Sequence, residues 1–357
     1  MVNVGLIGCG FIAQKHVQAL CQLDDFKVRA FADPDDVRLR ALFDIYFASC
    51  SGAKLASVPK MTSDYMKILE DPAIDVVVVS LPSGLHGSVA QSALMNGKHV
   101  IVEKPLALSV NELTHLQTLS EKTGKQLAVC HQKRFYPHLR EIKNLLQNGV
   151  IGRVVLAEMA LVYNRNPEYY SNSSWRGTWL MDGGMLLNQA VHNVDMLVWL
   201  LGAPVVVHGT ISRQLRAIET EDTAAAVFTM PNGSLATIAA TVCAQPSTSF
   251  ERLAIYGTEG WLVLSGKRFE HYDVWSVPGF APPSYQDIDP YISLYRDFKQ
   301  AVDVGSAPEN SLSEAIRTTE TIMAVYQSQI QGAAVRLPLA QFSTADMVDN
   351  FQGDANV

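Results

Sequence analysis

Lys104 is placed where a lysine can move a proton. It ends a strongly apolar stretch, VIVEKPLALS, and burying a lysine there is costly unless the side chain faces a cleft. A nearby positive charge would lower its pKa and make it a proton donor or acceptor. The alternative is a lysine that reaches from a strand end into solvent. Pro105 restrains the chain directly afterwards, which favours a positioned side chain.

His192 is the second such residue, because an imidazole titrates near neutral pH. Its stretch, DGGMLLNQAVHNVDML, predicts one helix entered through a Gly-Gly turn. At about 100° per residue, Asn188, His192, Asp195 and Trp199 share one face of that helix. A solvated face usually carries Lys, Glu or Arg, but none occurs from Gly183 to Ser212. The sequence therefore predicts a face turned to a cleft, with His192 as acid or base and Asp195 as a structural anchor.

The elements that would position Lys104 alternate between strand and helix. Continuous Val and Ile runs such as DVVVVS are typical of strands covered on both faces, and the alternation predicts a doubly wound parallel sheet. The predicted strands are Asn3–Ile7, Lys27–Ala32, Asp75–Ser80, His99–Glu103 and Gln126–Cys130. The predicted helices between them include Ile12–Gln22, His86–Asn96 and Val110–Thr123.

The chain changes character after about residue 130, where longer stretches alternate apolar and polar residues. Segments such as RVVLAEMALVY, TAAAVFTM and GSLATIAATVCA predict a largely antiparallel sheet, followed by helices over Ile292–Val302 and Ser313–Gln331. A length of 357 residues also fits two domains. The fold class is therefore α/β.

A dinucleotide-binding motif follows the first predicted strand. GLIGCGFIA contains Gly8-x-Gly10-x-x-Ala13, in which Gly8 permits a tight turn, Gly10 admits a pyrophosphate and Ala13 allows close packing. The helix N-terminus offers free N–H groups to phosphate, so we expect Phe11 and Ile12 to border the cofactor as well. The alternative is an ordinary glycine-rich turn.

The cofactor preference depends on Asp33, which follows the second predicted strand. It lies 20 positions after Ala13 (33 − 13 = 20), where a carboxylate accepts from the ribose hydroxyls and repels a 2′-phosphate. This favours NAD, although Arg38 and Arg40 lie nearby and leave NADP open.

Further cofactor contacts are expected at the carboxyl ends of the strands, where such sheets bind ligands. The stretch SLPSGLHGSVA follows the predicted strand Asp75–Ser80, and His86 in it could instead cap the next helix. The candidates from these strand ends are Ser80, Pro82, His86, Glu103 and Lys104.

Composition argues against several classes of function. The net charge of −7 disfavours nucleic acid or an anionic membrane as the main partner. The beginning of the chain does not resemble a signal peptide and no apolar run is long enough to span a bilayer, so we expect a cytoplasmic protein. The five cysteines are widely spaced and predict reduced thiols rather than disulfides or a zinc site: Cys9, Cys21, Cys50, Cys130 and Cys243.

Taken together, the motifs GLIGCGFIA, SLPSGLH, EKPLA, CHQKRFYP, WRGTWLMDGGMLLNQAVHNVDML and YGTEG resemble the glucose–fructose oxidoreductase, inositol dehydrogenase and rhizopine-catabolism (Gfo/Idh/MocA) family. The resemblance extends from residue 2 to about 338. It implies a Rossmann domain at 1–128, a substrate-binding and oligomerisation domain with an open mixed sheet at 129–338, and a loosely held polar tail at 339–357. It also implies a homodimer or homotetramer formed through that sheet.

The resemblance further implies a reaction. Family members oxidise or reduce a secondary alcohol or ketone on a sugar, inositol or related ring with NAD or NADP. Lys104 of the EKP motif and His192 of the G-x-H-x-x-D motif correspond to the family's proton-handling pair, and Gln132 to a position near the nicotinamide.

Two positions depart from the family pattern. Asn188 replaces the usual Asp and Ala190 the usual Gly, and because an amide is not a base, Asn188 can only orient substrate or ring. The NQ-x-x-H variant resembles a subgroup that contains nucleotide-sugar and aminosugar-acid dehydrogenases. Arg176 would suit an anionic sugar, since it can bind a carboxylate or phosphate with both arms. The expected substrate contacts are Lys104, Arg134, Tyr163, Trp175, Arg176, Asn188 and His192.

Three rival functions were weighed. The first is an NAD-using glycosidase in which transient oxidation assists elimination, and the second is a non-catalytic sensor of sugar or dinucleotide. Retention of both Lys104 and His192 argues against the sensor. The third is a metal enzyme using His131, His192 and Asp195, but their spacing matches no known zinc motif, and we expect no metal.

Overall fold

The computed structural model describes residues 1–51, 54, 58–245 and 249–353. It contains fourteen strands in the described part of the chain: β1 Val2–Ile7, β2 Phe26–Ala32, β3 Lys60–Thr62, β4 Val76–Val79, β5 His99–Val102, β6 Leu127–Val129, β7 Val154–Val162, β8 Val206–Ser212, β9 Thr223–Thr229, β10 Leu235–Thr241, β11 Phe250–Gly257, β12 Trp261–Ser265, β13 His271–Ser276 and β14 Val335–Arg336.

The α-helices of the same residues are α1 Phe11–Cys21, α2 Asp36–Ser49, α3 Met66–Leu69, α4 His86–Met95, α5 Val110–Thr123, α6 Pro137–Gln147, α7 Pro167–Ser171, α8 Met185–Asn188, α9 Val191–Leu201, α10 Pro290–Val304, α11 Leu312–Gln331 and α12 Met347–Asn350. None of the helices in the described ranges has the length and apolar character that crossing a membrane requires.

The chain forms two compact units. The first contains Met1–Ala107, Glu112–Gln132 and Asp289–Ala315, and the second contains Leu108–Asn111, Lys133–Ile288 and the chain from Ile316 onward. The domain boundary after residue 128 that the resemblance implies stays a prediction, and in the structure the segment containing α10 returns to the first unit. That return depends on long-range packing, such as the contact of α10 with α1, and no local pattern records it.

The first unit is built on a six-stranded parallel sheet in the order β3-β2-β1-β4-β5-β6. Central strand β4 consists of four valines that are all buried, as expected for a strand covered on both faces. This strand order is the dinucleotide-binding arrangement in which the crevice opens beside the carboxyl ends of the central strands. The predicted doubly wound sheet is confirmed.

The second unit is built on an eight-stranded mixed sheet in the order β13-β12-β11-β7-β10-β9-β8-β14. Only the β7–β10 pair is parallel and the remaining pairs are antiparallel. Strands β8 and β9 alternate between buried and less buried residues, so one face of the sheet supports the core. The predicted largely antiparallel sheet is confirmed.

The cysteine prediction is wrong for one pair. Cys21 ends α1 and Cys50 directly follows α2, and the two form a disulfide with their Cα atoms 4.8 Å apart. The two cysteines are 29 residues apart along the chain, so the sequence did not show that the two helices end side by side. Cys9, Cys130 and Cys243 are free thiols.

The segment after Pro338 is more ordered than its polar composition suggested. Leu339, Phe342, Met347 and Phe351 are buried, and the Thr344 hydroxyl donates to the carbonyl oxygen of Trp179 at 2.7 Å. Widely spaced apolar residues hold this segment to the second unit. The predicted tail extends to residue 357, and its last four positions lie outside the described residues.

Candidate functional site

The glycine-rich turn after β1 is shaped for a phosphate group. Gly8 has a φ of +92°, and a Cβ there would lie 2.4 Å from the Ser80 carbonyl oxygen, so only glycine fits. Gly10 precedes α1 without a side-chain cap, and a Cβ on it would meet no atom within 4 Å. The space beside Gly10 is therefore open and no Gly10 side chain caps α1, as the approach of a pyrophosphate to this turn requires.

Asp33 lies at the end of β2 and is 7% exposed. Its Oδ2 accepts from the Cys9 N–H at 2.7 Å and its Oδ1 from the Asp35 N–H at 2.9 Å, so it joins β2 to the glycine-rich turn. Arg38 pairs instead with Asp35, Nε to Oδ2 at 3.2 Å. The carboxylate thus stands beside the glycine-rich turn, the position from which it is expected to accept from ribose hydroxyls.

Ser80 follows β4 and supports this turn, whereas His86, at the start of α4, lies against the backbone of Leu81 and Pro105. The Ser80 hydroxyl donates to the Gly8 carbonyl oxygen at 2.7 Å. His86 is 1% exposed, and its ring nitrogens lie 2.7 Å from the Pro105 carbonyl oxygen and 2.8 Å from that of Leu81. Burial lowers the pKa of His86 despite these carbonyls. The ring nitrogens thus face backbone carbonyl oxygens, and the cofactor contact expected of His86 stays a prediction. Pro82 stays partly exposed beside it.

Glu103 holds the backbone of Lys104 from a buried network. Its Oε1 accepts from the Tyr291 hydroxyl at 3.0 Å and lies 3.1 Å from Nε2 of His16, while its Oε2 accepts from the Lys104 N–H at 3.3 Å. Burial alone raises the pKa of Glu103, but the bond and charge of His16 and the charge of Lys104 outweigh it and leave the pKa below its usual value. A buried carboxylate is therefore fixed beside the lysine, which argues for support of Lys104 rather than contact with cofactor.

The same network contains a group with metal-ligand chemistry. His16, Glu103 and Cys130 bring their ligand atoms within 4.8 Å of one another. The second ring nitrogen of His16 meets the Tyr295 hydroxyl at 2.8 Å, and burial raises the pKa of the Cys130 thiol well above its usual value. A protonated thiol and a fully bonded imidazole suit hydrogen bonding better than metal ligation.

Lys104 and Gln132 follow the strands β5 and β6 at the carboxyl edge of the sheet. Lys104 is partly exposed, although β5 and Pro105 on either side of it are largely buried. Among the described residues the buried Oε1 of Gln132 has no hydrogen-bond partner, so it can accept from a ligand amide. The catalytic role expected of Lys104 and the cofactor contact expected of Gln132 stay predictions.

The predicted helix around His192 is two helices. The N–H groups of Gln189 and Ala190 both donate to the Met185 carbonyl oxygen, which closes α8 before α9 begins at Val191. The prediction that Asn188 shares one helix face with His192 and Trp199 is therefore wrong, because Asn188 belongs to α8 and the other two residues to α9. From Val191 to Leu200 of α9, every residue is buried except His192, which is partly exposed.

Asp195 and Arg134 form a buried ion pair. Arg134 is 0% exposed and donates from Nε to Oδ2 of Asp195 at 2.9 Å and from Nη2 to Oδ1 at 2.6 Å. The Thr318 hydroxyl adds a bond to Oδ1 at 2.9 Å. Asp195 is thus the anchor that was expected. Arg134, expected to contact substrate, is enclosed by protein, and its charge neutralises that of Asp195. These bonds also leave Asp195 unsuited to the metal site weighed above.

Asn188 belongs to a polar cluster at the end of α8. It is 7% exposed, its amide donates to the Asp182 carboxylate, and its Oδ1 accepts from Gln189 Nε2 at 2.5 Å and from the Tyr169 hydroxyl at 3.4 Å. Gln189 Nε2 also donates to the Tyr169 hydroxyl oxygen at 2.8 Å. The cluster fixes the turn that leads into α9 and hence the start of the helix that carries His192.

A second cluster, around Glu251, was not predicted. This carboxylate is 1% exposed and accepts from Lys133 Nζ at 2.5 Å, from Asn193 Nδ2 at 2.6 Å and from the Tyr163 hydroxyl. Burial raises the pKa of Tyr163, and the Glu251 charge adds to the effect. Tyr163, an expected substrate contact, therefore has its hydroxyl committed to Glu251. The sequence signal was an acidic residue, followed by Arg252, at the start of a mostly apolar strand.

Trp175 and Arg176 lie in the turn after α7, and both are partly exposed. The Arg176 guanidinium lies 4.2 Å from the centre of the Tyr169 ring and 5.5 Å from that of the Trp175 ring. Its Nη1 donates to the Tyr169 carbonyl oxygen at 2.9 Å. Both side chains remain available to a ligand.

Comparison with known proteins agrees with this geometry. Residues 2–131 match the model of an oxidoreductase family with an NAD-binding Rossmann fold, and residues 139–263 match the GFO/IDH/MocA C-terminal domain. The chain belongs to the GFO/IDH/MocA family. It is an NAD-dependent oxidoreductase, and its first unit is the NAD-binding Rossmann domain.

Three relatives illustrate the range of this family. The chain is 26% identical to levoglucosan dehydrogenase of Pseudarthrobacter phenanthrenivorans, over 76% of both chains. It is 26% identical to scyllo-inositol 2-dehydrogenase (NAD(+)) of Bacillus subtilis, over 82% of this chain and 86% of that protein. The WlbA dehydrogenase of Bordetella pertussis, solved with NADH and UDP-GlcNAcA, is 28% identical with a TM-score of 0.85, covering 95% of this chain and 99% of that one.

Proposed function

We propose that this protein transfers a hydride between a secondary alcohol of a sugar, cyclic polyol or sugar derivative and NAD. The observation that carries the proposal is the position of Lys104, whose backbone is held by the buried Glu103 carboxylate at the carboxyl edge of the NAD-binding sheet. Ligands of such sheets bind at that edge. Two relatives support the substrate class, because levoglucosan and scyllo-inositol, which their names give as substrates, are cyclic compounds with secondary hydroxyls.

Lys104 and His192 are the proposed proton-handling residues. NAD supplies the acceptor for the hydride when it is bound. In oxidation, a base removes the hydroxyl proton, and a neutral imidazole suits that task near pH 7. Lys104 would either donate a hydrogen bond to the same oxygen or act as the base itself. Gln132 and Asp33 would contact the cofactor, with Asp33 favouring NAD over NADP.

The test is a screen for reduction of NAD⁺ and NADP⁺ over inositols, aldoses, anhydrosugars, uronic acids and nucleotide sugars. With the best substrate, Lys104→Ala and His192→Ala should each lower kcat by about 100-fold or more, the usual range for an acid or base. The Kd for NAD should stay within about threefold, since proton transfer does not contribute to cofactor binding. The exposed Lys122→Ala and His115→Ala are matched controls.

Two outcomes would overturn the proposal. If both variants retain the turnover of the unmodified protein, the residue assignment is wrong. If glycosides release their aglycone without net formation of NADH, the glycosidase alternative replaces the dehydrogenase. Assembly into a homodimer or homotetramer through the outer face of the second unit's sheet, and a cytoplasmic location, stay predictions.

A further inference from the structure

A cavity of about 990 Å³ lies in the second unit, and its lining includes no residue of the ion pair or of the Glu251 cluster. The turn after α7 contributes Arg176 to its wall, and the loop between β8 and β9 contributes Arg213 and Arg216. Cavities of roughly 300–1,000 Å³ hold organic ligands of the size of a drug or cofactor. We call this cavity the arginine pocket.

Two of its arginines bond only to neutral backbone oxygens. Arg176 Nη1 donates to the Tyr169 carbonyl at 2.9 Å. Arg213 donates from Nη1 to the Ile218 carbonyl at 2.6 Å and from Nη2 to the Gln352 carbonyl at 3.1 Å. Neither pairs with an acidic side chain of the described residues. Their positive charges are therefore not neutralised by the part of the chain that the structure describes.

Arg216 provides the more specific sign of a ligand. It is 8% exposed, and its Nη2 donates to Asn164 Oδ1 at 2.9 Å and to the Val242 carbonyl at 3.3 Å. Its Nε is buried and has no hydrogen-bond partner in the described chain. A buried cationic N–H without an acceptor is costly, so the described chain leaves the Arg216 guanidinium incompletely compensated at the wall of the pocket.

The charge of the pocket is opposite to that of the whole chain. Its lining has three arginines and one acidic residue, Glu219, a formal charge of 3 − 1 = +2, whereas the chain carries −7. Glu219 accepts from the Trp179 N–H at 3.2 Å. Asp222 stands behind the loop and accepts the backbone N–H groups of residues 214–216 at 2.8 Å each, which holds the loop in place.

We propose that the arginine pocket binds the phosphate or diphosphate group of an anionic sugar, the part of the substrate remote from the oxidised carbon. This rests on the proposed function. Arginine forks match phosphate and carboxylate oxygens, and three cations around so large a cavity favour a multiply charged group over a single carboxylate.

The pocket is connected to the turn before α9. Arg176 stacks on Tyr169, whose hydroxyl bonds to Asn188 and Gln189. These two residues directly precede the helix that carries His192. A substrate held by its phosphate group would therefore be bound by the same unit, and through the same cluster, that positions His192.

The binding test uses the full chain with saturating NAD⁺, which blocks the pyrophosphate-binding turn of the first unit. Calorimetric titration should show UDP and inorganic pyrophosphate binding, with a Kd for UDP of about 10–100 μM, and no binding of uridine at the same concentrations. Arg213→Gln and Arg176→Gln should each weaken UDP binding about tenfold or more. Arg216→Gln should also weaken UDP binding. Because Arg216 is buried, this variant could misfold, and in that case the variants of the partly exposed Arg176 and Arg213 still decide the test.

Arg336→Gln, an exposed arginine of the same unit, is the matched control and should change the Kd by less than twofold. Failure of UDP and pyrophosphate to bind, or equal binding by all variants, overturns the pocket even if dehydrogenase activity is found. Binding of UDP without any dehydrogenase activity would instead count against the proposed function and leave the anion site standing.

A kinetic test decides whether the anion belongs to the substrate. UDP should compete with the phosphorylated sugar, and Arg213→Gln should raise KM for that sugar while kcat stays unchanged. UDP that binds without competing refutes the assignment to the substrate and identifies a separate anionic ligand.

Discussion

Replacing Arg134 with methionine tests whether this arginine supports the fold or contacts substrate. Arg134 is 0% exposed and meets both carboxylate oxygens of Asp195, which is itself 1% exposed. Removing one partner of a buried ion pair leaves the other charge uncompensated and costs about 3–5 kcal/mol. Arg134→Met should therefore lower the free energy of unfolding by that amount, whereas the exposed Arg153→Met should change it by less than about 0.5 kcal/mol.

The double variant Arg134→Met, Asp195→Leu separates the charge from the packing. Replacing both partners of a buried pair with apolar groups is often neutral, so the double variant should recover most of the stability lost by Arg134→Met. All five tryptophans lie between residues 175 and 275, within the second unit, so urea unfolding followed by tryptophan fluorescence reports on the unit that contains the pair.

The loss should also depend on pH in a defined direction. Without Arg134, burial raises the pKa of Asp195 in the folded state above its unfolded value. The folded variant then binds the Asp195 proton more tightly than the unfolded chain does. The loss of unfolding free energy in Arg134→Met is therefore largest above the raised pKa, and it shrinks as the pH falls toward the pKa of Asp195 in the unfolded chain. An unfolding free energy within about 1 kcal/mol of the unmodified protein, together with a raised KM, would refute this reasoning and restore Arg134 as a substrate contact.

Two further predictions concern a turn and a buried acid. Gly8→Ala should destabilise the fold by at least about 2 kcal/mol, because its Cβ would lie 2.4 Å from the Ser80 carbonyl oxygen at a φ of +92°. Gly10→Ala should leave stability unchanged yet weaken NAD binding in calorimetry; equal stability of both variants would contradict the turn geometry. Burial raises the pKa of Glu221 from 4.5 to about 8, so its stabilising contribution, complete below pH 4.5, is lost as the pH rises to about 8. The Tm advantage of Glu221→Gln should therefore grow between pH 5 and 8.5, and a constant difference would contradict the shift.

The sequence by itself determined the elements whose signals are local. Apolar Val runs identified the central strands of the first unit, alternation identified the second sheet, and Gly8, Gly10 and Asp33 identified the dinucleotide-binding turn. These signals are readable because a strand buried on both faces, a strand with one wet face and a phosphate-binding turn each constrain neighbouring residues. Lys104 was found for the same reason, as a lysine at the end of a buried strand.

Tertiary structure decided the partners of the polar residues. Arg134 and Asp195 are 61 residues apart, and Glu103 and Tyr291 are 188 apart. No periodicity records such pairings, because the cost of burying a charge is offset only by whichever distant group the fold brings to it. For the same reason the sequence did not show the Cys21–Cys50 disulfide, nor that Arg213 and Arg216 share a pocket with Arg176. A polar side chain shows where chemistry is available, and the packing around it decides whether that chemistry supports the fold or faces a ligand.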